Sequence, residues 1–250
     1  MKIAGIIKSS LIDYPHKAST VIFIGGCNFR CGYCHNPEIV LNGLPEGDNS
    51  IKKKQSVSDI GTEDFLAFLK NRKRFIDAVC ISGGEPTIHP ELVQLIKEIK
   101  ELGFAVKLDT NGTNPDMLRL LLREGLADYI AMDIKGPFEK YEEIAGRPVD
   151  LNAIKESAEI LIKYGSASAE AAENNADAKG FDYEFRTTVC RELLTEDDLR
   201  KMISEHKGAR KWYLQSFKNP GWILNRSGNY TSYTEEEMRK MGEKLCVSVR

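Results

Sequence analysis

The sequence lacks most of the features that sort a chain into a class at a glance. No apolar run approaches the roughly twenty residues of a membrane-spanning helix. The opening MKIAGIIKSS sets Lys2 and Lys8 around an apolar core too short for a secretory signal, so the expected compartment is the cytoplasm. Neither sign of charge dominates: the formal net charge is -2 and the pI is near 6.2, which gives no electrostatic basis for binding nucleic acid. There is no internal repeat and no second cluster of cysteines. With 42% hydrophobic and 29% charged residues over 250 positions, the remaining class is a soluble globular protein with a sizeable core.

What is present is rhythm. Apolar β-rich runs at 20–26, 78–82, 104–110, 128–134, 182–189 and 211–217 alternate with amphipathic stretches. The stretch 90–103 puts Leu92, Leu95, Ile96, Ile99 and Leu102 on one helical face, and 151–165 repeats that pattern. Thr195-x-x-Asp198 and Thr234-x-x-Glu237 have the form of capping boxes. This order implies an α/β fold with parallel strands and right-handed crossovers. Six such strands suit an open or partial barrel better than a closed eight-stranded one. The expected organisation is a single domain over 1–250 with its core at about 19–217. An extra strand with a turn is expected at 2–15, a polar loop at 41–61, and a mobile insertion at 166–180.

Six cysteines in a reducing compartment point to metal binding or burial instead of disulfides. Cys80, Cys190 and Cys246 are scattered singly and read as packed hydrophobes. Cys27, Cys31 and Cys34 are spaced C-x3-C-x2-C, with His35 next. A closed tetrahedral zinc site would need His35 as fourth ligand, and adjacent residues rarely both reach one centre. A [4Fe–4S] cluster accepts three cysteines if an exogenous group takes the fourth iron. In a parallel sheet ligands sit at the carboxyl ends of the strands. There the sequence places the cysteine segment, then Gly83, Gly84 and Glu85 of GGEPT, Asp109 and Asn111, Asp133 and Lys135, and Arg186 and Gln215. The glycines offer a backbone edge to a small polar ligand, and Glu85 a carboxylate for its ammonium group. Turn chemistry would account for Asn111, and a local ion pair for Asp133 and Lys135. His89 reads as a turn residue.

C-x3-C-x2-C with Tyr33 before the last cysteine, followed by GGEPT after the next strand, resembles the radical S-adenosylmethionine superfamily. SLIDYP, GCNFRCGYCHNPE, ISGGEPT, KLDTNG, DYIAMDIK and EFRTTV together resemble its activating enzymes of glycyl-radical enzymes. Within these they are most similar to the group acting on anaerobic ribonucleoside-triphosphate reductase. The matching blocks run from about residue 9 to 217, while 166–180 and the C-terminal tail depart from the pattern.

The resemblance implies a partial (β/α)6 TIM-like barrel of the radical SAM type. It implies a [4Fe–4S] cluster on Cys27, Cys31 and Cys34, with S-adenosylmethionine on the open iron and His35 not a ligand. Tyr33 would lie near the adenine, while Gly83, Gly84 and Glu85 would take the methionine end. Asp133, Lys135 and Arg186 would contact the carboxylate and ribose region. A monovalent cation, as in a related activase, would involve Asp109 and Asp133. Asp13 would face the protein substrate. Flavodoxin or ferredoxin would supply the electron that cleaves the cofactor, and the radical formed would take hydrogen from a glycine α-carbon. The alternatives it leaves are another glycyl-radical enzyme as partner, such as pyruvate formate-lyase, or a small-molecule reaction like that of 7-carboxy-7-deazaguanine synthase.

Overall fold

The computed structural model describes residues 1–41, 60–174, 180–219, 221–225 and 227–250. Most of the expected 41–61 loop therefore lies outside the described residues. The chain divides into two compact units, each assembled from three segments. The first is Met1–Asn28, Asn36–Thr110 and Leu120–Tyr129; the second is Phe29–His35, Asn111–Arg119 and Ile130–Arg250.

In the first unit, β1 (Ile3–Ser10) lies antiparallel to β2 (Ser19–Ile24), so the N-terminal segment is a strand as expected. A short α1 (Pro37–Leu41) and then α2 (Thr62–Arg72) lead to β3 (Ala78–Gly83), which pairs parallel to β2. After α3 (Leu92–Glu101), β4 (Ala105–Thr110) pairs parallel to β3. Register places Ile22, Ile81 and Leu108 side by side, and Val21, Cys80 and Lys107 likewise. Because strand side chains alternate, these two rows occupy opposite faces of the sheet. The first row is fully buried, as are Leu92, Leu95, Ile96 and Ile99 on the apolar stripe of α3. Each such side chain contributes about 1.5–3 kcal/mol by leaving water. The second row is where polar groups enter the sheet face.

Next, α4 (Pro115–Arg123) and β5 (Tyr129–Asp133) carry the chain into the second unit, where α5 (Tyr141–Ala145) and α6 (Leu151–Asn174) follow. Then come β6 (Asp182–Val189), α7 (Glu196–Glu205), β7 (Trp212–Ser216), α8 (Glu235–Leu245) and β8 (Ser248–Val249). The strand order here is β5-β6-β7-β8, with β6, β7 and β8 parallel. Both capping boxes form as expected: Thr195 with Asp198, and Thr234 with Glu237. The short β8 was not foreseen, because two exposed residues carry no periodic signal. The expected insertion at 166–180 is corrected in part. Residues 166–174 continue α6, since its alanine-rich run has high helix propensity even with little to bury.

Two features of local packing carry measurable consequences. At the ends of β2 and β3, Gly84 is pressed against the backbone: a Cβ there would stand 1.8 Å from the Gly26 carbonyl oxygen. That carbonyl accepts the Glu85 N–H at 2.8 Å. Gly84→Ala should therefore cost about 2–4 kcal/mol by denaturant unfolding, from backbone displacement. Gly125→Ala, with φ 62° and nothing within 4 Å of its Cβ, should cost only about 1 kcal/mol. In the second unit His206 is buried among Phe138, Phe185 and Trp212. Its Nδ1 meets the Met202 carbonyl at 2.8 Å, and its Nε2 has no partner. Burial lowers its pKa, against the opposing Met202 carbonyl. The unfolded chain therefore takes up the proton first as pH falls. His206 should begin to erode stability below about pH 6.5, by at most about 1.4 kcal/mol per pH unit. Unfolding midpoints of His206→Phe should show a shallower loss than wild type between about pH 7.5 and 5.5.

Candidate active site

The segment 25–35 has little regular structure, and its backbone is held from outside. In the first unit, Gly26 N–H donates to the Ile39 carbonyl at 2.8 Å, and His89 Nε2 meets the Gly25 carbonyl at 2.8 Å. The GGEPT turn joins there too, with Gly84 N–H on the Ile24 carbonyl at 2.8 Å. Gly83 takes φ 115°, and a Cβ on it would meet the Ile24 nitrogen at 2.4 Å. The paired glycines thus let two strand ends approach, beside the ligand-facing edge expected of them. Glu85 is fully buried, and its Oε1 accepts from Thr87 N–H at 3.0 Å, Thr87 Oγ1 at 2.5 Å and Thr110 Oγ1 at 2.8 Å. A carboxylate so enclosed ties the end of β3 to the end of β4. Cys27 follows Gly26 in this unit.

Cys31 and Cys34 lie in the second unit, in a turn closed by Cys34 N–H on the Cys31 carbonyl at 3.0 Å. Arg30 N–H donates to the Ala145 carbonyl at 2.7 Å, next to Gly146, whose φ is 68° and whose Cβ would meet the Arg30 oxygen at 2.3 Å. Two further bonds come from the C-terminal region: Asn225 N–H to the Gly32 carbonyl at 2.8 Å, and Leu224 N–H to the Cys34 carbonyl at 3.1 Å. Tyr33 is buried against Phe217 and Tyr230 at 6.4 and 6.3 Å, both edge-on, and His35 tilts on Phe217 at 5.2 Å. The tail beyond residue 217, which carries no motif, therefore supports the cysteine segment.

Asp133, Lys135 and Arg186 come together in the same unit. Arg186 Nε donates to Asp133 Oδ1 at 2.9 Å and Lys135 Nζ to Oδ2 at 3.2 Å. Burial alone would raise the Asp133 pKa, but the two cations overcome it and hold the group at about 2. Burial likewise works against the charge on Lys135, and the Asp133 carboxylate, with Tyr33 and Cys31 nearby, drives its pKa well above the ordinary lysine range. Burial pushes the Cys31 thiol and the Tyr33 phenol up, and in both cases Lys135 opposes it. This ammonium is the positive charge that favours a thiolate at Cys31.

The other expected residues are placed as follows. Asn111 is buried and turns back on itself, its Oδ1 accepting from Thr113 N–H at 3.1 Å and Thr113 Oγ1 at 2.7 Å. Asp109 in the first unit is bonded by the ammonium of Lys107, which opens the KLDTNG block. Asp13 accepts from Ser10 Oγ, and Ser10 pairs with Ser19 at the start of β2. Asp13 therefore stands at the amino ends of the parallel strands, whereas GGEPT follows a carboxyl end, and the two are not brought together. Cys80 and Cys190 are buried, their thiols pushed by burial up to about 12. Cys246 departs from expectation: it is exposed and ends α8 with φ 55°. His89, expected as a turn residue, also meets the Gly25 carbonyl, and Lys107 of KLDTNG pairs with Asp109; a single polar residue carries no periodic signature of such contacts.

These residues fit an iron–sulfur cluster with a polar cofactor. Cys27, Cys31 and Cys34 are all free thiols, the soft donors that suit such a cluster. Among the described residues no group of three or more His, Cys, Asp or Glu could hold a single metal ion. A cluster instead takes each thiolate on a different iron. The Tyr33 hydroxyl and His35 Nε2 are buried without a hydrogen-bond partner, as groups facing a bound cofactor would be.

Comparison with known proteins agrees. The model of the radical SAM superfamily matches residues 21–170. A protein of Methanocaldococcus jannaschii that bears the inferred name of a glycyl-radical enzyme activating enzyme is 33% identical over 242 residues, 96% of this chain and 90% of its own. The pyruvate formate-lyase-activating enzyme of Clostridium pasteurianum is 31% identical over 135 residues, about half of each chain (54% and 52%). A 7-carboxy-7-deazaguanine synthase of Methanopyrus kandleri is 31% identical over 45% of this chain and 47% of its own. Among solved structures, Streptococcus suis SuiB has a TM-score of 0.63 at 12% identity, covering 92% of this chain and 48% of its own. Native anSMEcpe with bound AdoMet gives 0.60 at 17%, covering 91% and 61%. These likenesses show the fold, α/β with a parallel sheet, as in the partial barrels of radical SAM enzymes. No helix among the described residues is long and apolar enough to cross a membrane. Members of this superfamily use a [4Fe–4S] cluster and S-adenosylmethionine, and the residues found here fit both: the chain belongs to the radical SAM superfamily and, within it, to the glycyl-radical enzyme activating enzymes.

Proposed function

We propose that this protein installs a glycyl radical on anaerobic ribonucleoside-triphosphate reductase. The observation that carries the reading is the relationship to an activating enzyme over nearly the whole chain. The choice of reductase rests on the motif set from SLIDYP to EFRTTV and its order along the sequence. Cys27, Cys31 and Cys34 would hold the cluster. Tyr33, Gly83, Gly84, Glu85, Asp109, Asn111, Asp133, Lys135 and Arg186 would surround S-adenosylmethionine. When bound, the two cofactors supply an electron and a carbon-centred radical able to take hydrogen from a glycine α-carbon.

The chain's own work is binding, orientation and exclusion of water. Lys135 and Arg186 both pair with the Asp133 carboxylate, and these cations are the groups that would meet a ligand carboxylate. Tyr33 offers a phenolic O–H from an aromatic wall made with Phe217 and Tyr230. A protein loop brings backbone hydrogen-bonding groups of its own, so the activating enzyme needs few dedicated residues for its substrate. The electron would come from flavodoxin or ferredoxin, and both chemistry and donor fit a cytoplasmic setting.

Replacing Cys27, Cys31 or Cys34 by Ala should abolish the reconstituted cluster, read as iron, sulfide and visible absorbance. Cys80→Ala, Cys190→Ala and Cys246→Ala should retain it; a requirement for any of these would overturn the ligand assignment. The substrate is tested by mixing reduced protein, S-adenosylmethionine and anaerobic ribonucleotide reductase without oxygen and recording the electron paramagnetic resonance spectrum. A glycyl-radical doublet, lost when the reductase glycine is replaced by Ala, is the expected result. A doublet only with pyruvate formate-lyase would move the activity to that partner. Turnover of a carboxylated pterin with no protein radical would instead support the small-molecule reading, which the half-length similarity to 7-carboxy-7-deazaguanine synthase favours.

A further inference from the structure

Two carboxylates at strand ends, one in each unit, already carry cations from the chain. Asp133 in the second unit is held by Arg186 and Lys135. Asp109 in the first unit is held by Lys107, two residues earlier on β4 and therefore on the same face of the strand. Lys107 is only 2% exposed. An ammonium at that depth is tolerated because it is paired, since an isolated buried charge would shed its proton or unfold the site. Across the sheet its register partner is Cys80, whose thiol burial keeps neutral, so it offers Lys107 no countercharge. Lys107 and Asp109 thus form a buried salt bridge whose two charges cancel. A free cation at Asp109 would therefore meet no net negative charge from the pair, and one that took the place of Lys107 would leave its ammonium buried without that carboxylate.

We propose that Lys107 is a tethered counter-cation that positions the Asp109 carboxylate, so that this strand end takes no free monovalent cation. The consequence for the cofactor rests on the reading of Asp109 as a residue of the S-adenosylmethionine site; the consequence for folding does not. Lys107 is a positioning residue, and it sets the cation requirement of the site.

The test compares wild type, Lys107→Met, Asp109→Asn and the double variant in choline, sodium and potassium chloride at equal ionic strength. Two quantities are read: the melting temperature of the protein without its cofactors, and the affinity of the cluster-loaded protein for S-adenosylmethionine. Wild type should vary by less than about twofold in affinity among the three salts, because its cation is built in. Lys107→Met should melt lower and bind about tenfold more weakly in choline chloride, and recover most of both losses in sodium or potassium chloride. Asp109→Asn, which strands the lysine, should show no such recovery. The double variant, with neither charge, should be indifferent to the cation, and it keeps the comparison decisive if Lys107→Met folds only in potassium or sodium. A wild-type affinity that rises severalfold with potassium or sodium over choline would overturn the proposal. So would a folded Lys107→Met that ignores the cation's identity. Cation-dependent melting of Lys107→Met with unchanged cofactor affinity would uphold the counter-cation and remove Asp109 from the cofactor site.

Discussion

The constraint on which the rest depends is the backbone of the segment that bears the cysteines. Between Gly25 and His35 the cysteine segment forms neither helix nor strand, although positions 27, 31 and 34 have the spacing of one helical face, so its peptide groups rely largely on bonds to other parts of the chain. Buried peptide groups must nevertheless be satisfied. In the first unit the partners come from Ile39, Glu85 and His89, and in the second from Ala145, Leu224 and Asn225. Glycine stands where these approaches are too close for a side chain, at Gly84 against Gly26 and at Gly146 against Arg30. A loop held this way keeps a defined course without regular structure.

Electrostatics follows the same economy. Burial works against the ionised form of Cys31, Asp133 and Lys135 alike; Asp133 and Lys135 keep their charges because each sits beside a partner of opposite sign, while at Cys31 burial outweighs the opposing Lys135. Lys135 serves several of these groups at once: it pairs with Asp133 and opposes the burial of Cys31 and Tyr33. The local ion pair that sequence alone offered as the plain explanation of Asp133 and Lys135 exists, and Arg186 completes it. Under the proposed function the same cations would also meet a ligand, so the ion pair and the site reading do not exclude each other.

Much of this was legible beforehand, for identifiable reasons. The six central strands and the stripe on α3 follow from periodicity, which burial of one face enforces residue by residue. The capping boxes follow from local side-chain chemistry that needs no tertiary partner. Of the insertion expected at 166–180, residues up to Asn174 are helical, as their alanine-rich composition favours even without an apolar stripe to bury. Gly83 and Gly84, expected to offer a backbone edge, also permit the close packing of strand ends. Glu85, expected at a ligand's ammonium group, also accepts from Thr87 and Thr110.

By itself the sequence determined the α/β order, the parallel pairing, the clustering of three cysteines in one segment and the row of polar residues after the strands. All of these are set by spacing along one chain, which short-range geometry converts directly into structure. Tertiary structure alone decided which polar groups meet. Lys107 reaches Asp109, His89 reaches the Gly25 carbonyl, and a motif-free tail around Leu224, Asn225 and Tyr230 supports the cysteine turn. The tail and His89 make their contacts across gaps of more than sixty residues, where sequence spacing holds no information. Lys107 and Asp109 are neighbours in sequence, but their ion pair depends on the burial that makes an unpaired lysine too costly to keep.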